Sequence, residues 1–150
     1  MTDVFLVFWL DEQRYGIPLP VVDRVVHRVE INALGEVPSV IAGRVNVQGR
    51  DIPVFDLRMR FGLPERNRNL NDRLIIARTR QRLVGMVVDD VVGLVECGSQ
   101  DLIAATQILP HVDYVEAVVK QKDGLILIHS LDTFLSSEEA SVMQAALEGG

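Results

Sequence analysis

The sequence contains a single cysteine, Cys97, and no long run of apolar residues. One cysteine cannot form a disulfide within the chain, so packing and hydrogen bonds must hold the fold together. A helix needs about 20 apolar residues to cross a bilayer, and no run approaches that length. Residues 1–16 also lack the basic start and the cleavable apolar stretch of a secretion signal. These absences predict a cytoplasmic protein that does not insert into a membrane.

A dense stripe of positive charge is absent as well. The chain carries 15 Lys and Arg against 21 Asp and Glu, which gives a net charge of −6. Residues 1–82 hold all 13 arginines and 10 acids, whereas residues 83–150 hold 2 lysines and 11 acids. Because phosphate binding needs clustered Lys and Arg, nucleic acid is not an expected partner. The scattered arginines are most simply a solvated surface, and two oppositely charged partner surfaces are the alternative.

Signatures of catalysis and of metal binding are also missing. None of the G-x-S-x-G, P-loop or G-x-G-x-x-G patterns occurs. His27, His111 and His129 are far apart, without the spacing of zinc ligands. Asp89 and Asp90 are adjacent, and adjacent residues of a strand point to opposite faces, so they cannot act as one acid/base pair. The sequence therefore predicts no catalytic residue, no metal, no cofactor and no enzyme.

The length and composition are those of a globular protein. A chain of 150 residues fits one domain, residues 1–150, and can bury about two thirds of the surface that its unfolded form exposes. Hydrophobic residues make up 48% and charged residues 24% of the chain, which is far from the composition of disordered proteins. The polar stretch 63–72 is the best candidate for a connector between two halves.

Short runs of alternating, β-branched residues dominate the chain and predict about ten strands. The predicted strands are 4–10, 14–19, 28–34, 44–48, 51–55, 73–79, 82–88, 92–96, 114–120 and 125–129. No helical stretch of 10 to 15 residues separates them, which argues against a doubly wound parallel sheet. The fold is therefore predicted to be mainly β, packed as a sandwich or a barrel.

Helices are predicted at three places. Residues 20–26 can make two turns that begin with Pro20, because proline suits the first helical position. Asp56 and Gly62 are a suitable N-cap and stop for one or two turns between them. A longer C-terminal helix is predicted over residues 136–147. Its evidence is the capping-box pair Ser136 and Glu139 and an apolar stripe of Val142, Met143, Ala146 and Leu147.

The segment GRVNVQGRDIPVFDL, residues 43–57, combines polar residues with a strand pattern. Gly49 and Arg50 are predicted to form a two-residue turn of type II′, which takes glycine first. The apolar side chains that then share one face are Val45, Val47, Ile52 and Val54. In this register Asn46 lies opposite Pro53, which has no N–H to donate. A bulge is therefore expected, or else an Asn46 side chain that bonds local backbone. Asp56 is expected to be a helix cap and not a catalyst.

This segment resembles the signature of the CheW-like chemotaxis adaptors, G-x-x-N-x-R-G-x-x-x-P-x-x-D-L. The matching residues are Gly43, Asn46, Gly49, Pro53, Asp56 and Leu57, and Gln48 stands where the family usually has Arg. Similarity extends to residues 5–19, 74–96 and 114–135, so that the resemblance covers about residues 4–136.

The resemblance implies two five-stranded β-barrel lobes lying side by side, with short helices and a C-terminal helix. It also implies a non-enzymatic adaptor that couples the cytoplasmic tips of methyl-accepting chemoreceptors to the histidine kinase CheA, whose regulatory domain meets the adaptor barrel to barrel. In the family, receptor tips bind between the barrels near the first helix, which by position corresponds to VVDRVV here. The partner-binding residues expected on this basis are Val22, Arg24 and Val25, with Gln48 on a neighbouring strand and Leu94 from the other half.

Two departures from the family pattern concern this expected surface. The family commonly has Glu where Arg24 stands and Arg where Gln48 stands, so the ion pair that those two residues could form is lost. The changes look mutually compensating, since Gln48 avoids a like-charge contact with Arg24. These departures leave a second hypothesis open, in which the chain is a stand-alone CheW-like module that serves another signalling or polar-localisation system. The third hypothesis is a small barrel hydrolase or ligand-binding protein. For each valine of the expected contact surface, the alternative to partner binding is simple packing in the core.

Overall fold

The computed structural model describes residues 2–27, 30–65, 72–104, 115–122 and 124–149. Eleven strands lie within these residues. The first six are β1 (Thr2–Leu10), β2 (Gln13–Pro18), β3 (Val22–His27), β4 (Ile41–Val47), β5 (Arg50–Phe55) and β6 (Arg73–Arg78). The others are β7 (Leu83–Val88), β8 (Asp90–Gly98), β9 (Leu102–Ala104), β10 (Val115–Gln121) and β11 (Gly124–His129).

The strands form two sheets, which define two lobes. The first lobe has six strands in the order β8-β1-β2-β11-β10-β9, and the second has five in the order β3-β6-β7-β5-β4. Only the β2–β11 and β5–β7 pairs of these sheets are parallel. The predicted two-lobed, mainly β fold is confirmed. The first lobe has one strand more than expected, and no pairing between described strands joins the two end strands of either sheet.

Three apolar clusters form the core, one inside each lobe and one between the lobes. Because side chains alternate along a strand, the central strands serve two clusters at once. On β1, Phe8 faces the cluster between the lobes, while Val7 faces the interior of the first lobe. On β6, Ile75 faces the shared cluster and Ile76 the interior of the second lobe. This double burial explains why residues 4–10 of β1 and 74–77 of β6 are all apolar.

Two of the three predicted helices are confirmed. Helix α1 (Leu57–Phe61) begins after Asp56, whose Oδ1 accepts a hydrogen bond from the Met59 N–H at 3.0 Å. It ends at Gly62, which has the left-handed conformation. Helix α2 (Ser137–Gly149) has the predicted capping box: Ser136 Oγ accepts from the Glu139 N–H, and Glu139 Oε1 accepts from the Ser136 N–H. Met143 anchors α2 in the shared cluster.

The predicted helix over residues 20–26 is wrong. Leu19–Val21 form a single 3₁₀ turn, and Val22–His27 continue as strand β3, which pairs antiparallel with β6. Four valines in this stretch favour extended backbone, and the edge of β6 supplies hydrogen-bond partners that a helix there would leave unused. The predicted strand 28–34 is reduced, in its described part, to one isolated bridge between Asn32 and Arg44. Most of the connector 63–72, and also His111, lie outside the described residues.

The hairpin of β4 and β5 has the predicted faces but a different turn. Its turn residues are Gln48 and Gly49, both with positive φ (53° and 82°), and not Gly49 and Arg50. Two positive φ angles are typical of type I′, whose twist matches that of the flanking strands. Pro53 therefore lies opposite Arg44, and a bulge occurs at the other end of the hairpin, next to Ile41. The shift moves the register by two residues, so every side chain keeps its face.

Candidate partner-binding surfaces

Exposed aliphatic side chains mark two sheet edges, one in each lobe. Strand β3 ends the second sheet and exposes 40% of Val25, while β8 ends the first sheet and exposes 60% of Leu94 and 47% of Val92. Side chains of this size are usually buried, and an exposed one gains free energy when a partner covers it. Val25 and Leu94 are thus exposed apolar side chains on edge strands of the two lobes.

The other expected contact residues have more varied settings. Val22 is half-buried and packs against the cluster between the lobes. Arg24 donates from Nε to the neighbouring Asp23 at 2.8 Å. Gln48 lies at the turn between β4 and β5, and β4 ends the second sheet opposite to β3. The expected placement of Gln48 on a strand next to Arg24 is therefore wrong, since the neighbour of β3 is β6. No hydrogen bond between these two side chains is found among the described residues.

The signature residues shape the hairpin and its surroundings. Asn46 Oδ1 accepts a hydrogen bond from the Gly49 N–H at 3.1 Å, as expected of a side chain that bonds local backbone. At Gly43 the segment before β4 crosses so closely that a Cβ would lie 2.2 Å from the carbonyl oxygen of Asn32. Leu57 is fully buried in the shared cluster. The signature therefore builds the scaffold of the second lobe.

An ion-pair network joins the two lobes at one end. Arg58, on α1 of the second lobe, donates from Nη2 to Asp11 Oδ1 at 2.5 Å and to Asp89 Oδ2 at 2.7 Å. Asp11 lies in the β1–β2 turn of the first lobe, and its N–H also donates to Asp89. Burial alone would lower the pKa of Arg58, but the hydrogen bonds to Asp11 and Asp89 outweigh it and raise that pKa. Asp89 thus serves this network, while the Asp90 carboxylate accepts from the Val91 N–H.

His129 belongs to the core. It is fully buried, and the rings of Phe8 and Phe61 meet it edge-on at 5.9 and 5.7 Å. Neither ring nitrogen has a hydrogen-bond partner in the described structure. Burial without a compensating partner lowers the pKa of His129 to about 4, so the ring is neutral at physiological pH. A side chain sealed in this way cannot reach a substrate.

No other part of the described chain assembles reactive groups. Among these residues there is no cluster of three His, Cys, Asp or Glu that could hold a metal ion. A groove of about 700 Å³ opens at the rim of the first lobe and is mostly apolar. Its described lining has two carboxylates, Asp3 and Glu116, and no histidine. No described helix is long and apolar enough to cross a membrane.

A cluster of arginines, which sequence reasoning missed, lies at one end of the second lobe. Arg50 follows the β4–β5 turn, and Arg78, Arg80 and Arg82 surround the β6–β7 turn. The four side chains line one cavity of about 260 Å³. We call these four residues the arginine cluster. Its signal in the sequence is the R-x-R-x-R pattern of residues 78–82, whose association with Arg50 depends on the fold.

The sequence matches the CheW-like domain family over residues 4–139. The chain belongs to the CheW-like family. It is 25% identical over 141 residues to the chemotaxis protein CheW of Klebsiella aerogenes, covering 93% of this chain and 85% of that protein. It is 27% identical over 137 residues to the chemotaxis protein CheW of Bacillus subtilis, covering 90% and 88%.

A solved structure is similar to this CheW-like chain throughout. The crystal structure of the scaffolding protein TtCheW from Thermoanaerobacter tengcongensis superimposes with a TM-score of 0.84 at 29% identity, covering 93% of this chain and 96% of that one. The two-lobed CheW-like fold is therefore shared over nearly the full length of both proteins.

Proposed function

We propose that this chain, a non-enzymatic chemotaxis adaptor of the CheW-like family, couples the cytoplasmic tips of chemoreceptors to the regulatory domain of the histidine kinase CheA. The observation that carries the proposal is the exposed aliphatic pair Val25 and Leu94, placed on the edge strands of the two lobes of a CheW-like fold. The proposed place of action is the cytoplasm. The apolar cluster that both lobes share supports a single domain.

The receptor tip is proposed to cover Val25 and Leu94. Covering apolar surface yields about 25 cal/mol per Å², so a few hundred Å² suffice for a transient interface after the entropy cost of association. Val22 lies on the same strand as Val25 and packs against the shared cluster, so it anchors that strand to the core. Arg24, half-buried beside Asp23, adds a charge at the rim of the same strand.

Replacement of the two side chains tests this surface. Leu94→Ser and Val25→Ser are each expected to weaken binding to a receptor-tip fragment, by about tenfold for Leu94, which corresponds to about 1.4 kcal/mol. Isothermal titration calorimetry measures the affinity. Val142→Ser is a matched control, since Val142 on α2 is 39% exposed, almost as much as Val25. Equal weakening by the control would show that the effect is not local.

The kinase partner is tested separately by titrating the chain with the CheA regulatory domain. The proposal requires binding, and no association at roughly tens of micromolar would reject the kinase link. In that case the chain would be a stand-alone CheW-like module of another signalling or polar-localisation system. The observation in favour of this second candidate is that Arg24 and Gln48 both depart from the family pattern, which alters charge at the expected contact residues.

A further inference from the structure

The two turns that carry the arginine cluster lie side by side at one end of the second lobe. Strands β5 and β7 pair in parallel, with Val54 opposite Gly85, so both strands begin at the same end of the sheet. Arg50 starts β5, and the β6–β7 turn immediately precedes β7. Parallel pairing therefore brings together arginines that are far apart in the sequence.

Hydrogen bonds made by Thr79 hold the backbone of the β6–β7 turn. Thr79 Oγ1 accepts hydrogen bonds from the N–H groups of Gln81 at 3.3 Å and Arg82 at 3.1 Å. The Thr79 N–H in turn donates to the Arg82 carbonyl at 2.8 Å. The turn backbone is therefore already ordered, so a partner that binds there loses little free energy to backbone ordering.

The charge of the cluster is largely uncompensated within the described chain. Arg50, Arg78 and Arg82 make no ion pair with any described residue, and Arg82 Nε is buried without a partner. Arg80 pairs with Asp132 only at 3.8 Å, and 89% of its side chain is exposed. The nearby Asp51 lies 3.6 Å from Arg44. A partner that supplies carboxylates could pair with Arg50, Arg78 and Arg80, whose side chains are exposed.

The size of the surrounding cavities narrows the class of partner. A second cavity of about 270 Å³ lies on the other side of the same turn, lined by Arg80, Arg82, Asp132 and the start of α2. Both cavities are smaller than the roughly 300–1,000 Å³ of typical small-molecule sites. Open cavities of this size suit individual side chains of a partner protein.

We propose that the arginine cluster docks a short acidic segment of a partner protein. Guanidinium groups match carboxylates in two-point hydrogen bonds, and four of them suit a segment with several Asp or Glu. A continuous polyanion, such as a nucleic acid or an anionic membrane, is disfavoured because the whole chain carries −6 and the acids of residues 83–150 would be repelled. The cluster contains none of the residues proposed to contact the receptor tip, so the inference goes beyond that contact.

The probe is a fluorescent peptide in which pairs of glutamates alternate with leucines. A second peptide, with glutamine in place of every glutamate, is the neutral control. The glutamate peptide is expected to bind the full chain at least tenfold more tightly than the glutamine peptide. Binding is expected to weaken as added salt shortens the Debye length from about 10 Å to about 3 Å. The double variant Arg78→Glu/Arg80→Glu should abolish this preference. Amide chemical shifts should change at residues 78–83 on binding.

The matched control reverses two charges elsewhere. Lys120→Glu/Lys122→Glu changes the net charge by the same amount at exposed positions of the first lobe, and it should leave peptide binding within twofold of the unmodified chain. Equal loss in both double variants, or equal binding of the two peptides, would overturn the proposal. So would binding that is seen only with phosphatidylglycerol vesicles or with single-stranded oligothymidine. Titration of the CheA regulatory domain is a separate assay, so failure here is distinguishable from failure of the adaptor function.

Discussion

Arg60 and Glu139 join helices α1 and α2 through an ion pair. Arg60 Nη2 donates to Glu139 Oε1 at 2.6 Å, and the Arg60 guanidinium also lies over the ring of Phe134 at 5.4 Å. Both partners are largely shielded from solvent. The same Glu139 closes the capping box of α2, so one carboxylate both begins the C-terminal helix and attaches it to α1.

Glu139→Gln is expected to destabilise the fold by about 1–2 kcal/mol at pH 7, because it removes a charge-assisted hydrogen bond from a partly buried arginine. Burial would raise the pKa of Glu139, but the Ser136 N–H and Arg60 outweigh it and lower that pKa. The contribution of Glu139 is therefore present above its ordinary pKa and is lost as the pH falls through the folded value. Urea unfolding at pH 7 and near pH 3 measures this.

Gln144→Ala is the control for that experiment. Gln144 bonds Glu148 on the exposed side of α2, so its loss should cost a few tenths of a kcal/mol at both pH values. A Glu139→Gln penalty that is unchanged in acid would contradict a charged interaction with Arg60.

His129 is expected to make the fold sensitive to mild acid. Its folded pKa of about 4 lies below the ordinary value of 6.5, so the unfolded chain binds the proton first. The contribution of neutral His129 to the free energy of unfolding is therefore fully present above pH 6.5. It falls by about 3 kcal/mol between pH 6.5 and pH 4, because each pH unit corresponds to about 1.4 kcal/mol. In His129→Leu this part of the pH dependence should disappear. The free energy of unfolding measured from pH 7.5 to pH 4 tests the prediction.

The control is His27→Leu, since His27 at the end of β3 is exposed. The His27→Leu variant should still lose stability as the pH falls from 6.5 to 4. An unchanged slope in His129→Leu would assign the acid sensitivity to other groups.

Gly43→Ala is expected to cost about 3 kcal/mol or more. Its φ of 152° is unfavourable for a side chain, and the added Cβ would collide with the Asn32 carbonyl. Gly49→Ala is the comparison: φ is 82° there, but nothing lies within 4 Å of the added Cβ, so about 1 kcal/mol is expected. Thermal or urea unfolding ranks the two. A larger loss of stability from Gly49→Ala than from Gly43→Ala would mean that the backbone conformation of the turn, and not the close approach to Asn32, dominates the cost of the added side chain.

Several elements could be predicted from the sequence because their causes are local. The alternation of β1 and β6, the cap at Asp56 and the capping box at Ser136 each depend on residues within a few positions of one another. The register of the β4–β5 hairpin could not be predicted as well. The predicted turn at Gly49-Arg50 fits type II′, whereas the observed turn at Gln48-Gly49 is of type I′. Only the pairing of the whole strands selects between these two turns.

The sequence by itself determined most of the strands, their two faces and the caps of the two confirmed helices, because backbone geometry and capping act over a few residues. Only the tertiary structure decided that Val22–His27 is a strand, since the edge of β6 supplies its hydrogen bonds. It also decided that Arg50 meets Arg78, Arg80 and Arg82, through the parallel pairing of β5 and β7. Contacts of this kind join distant segments, and no local pattern of side chains specifies which segments will meet.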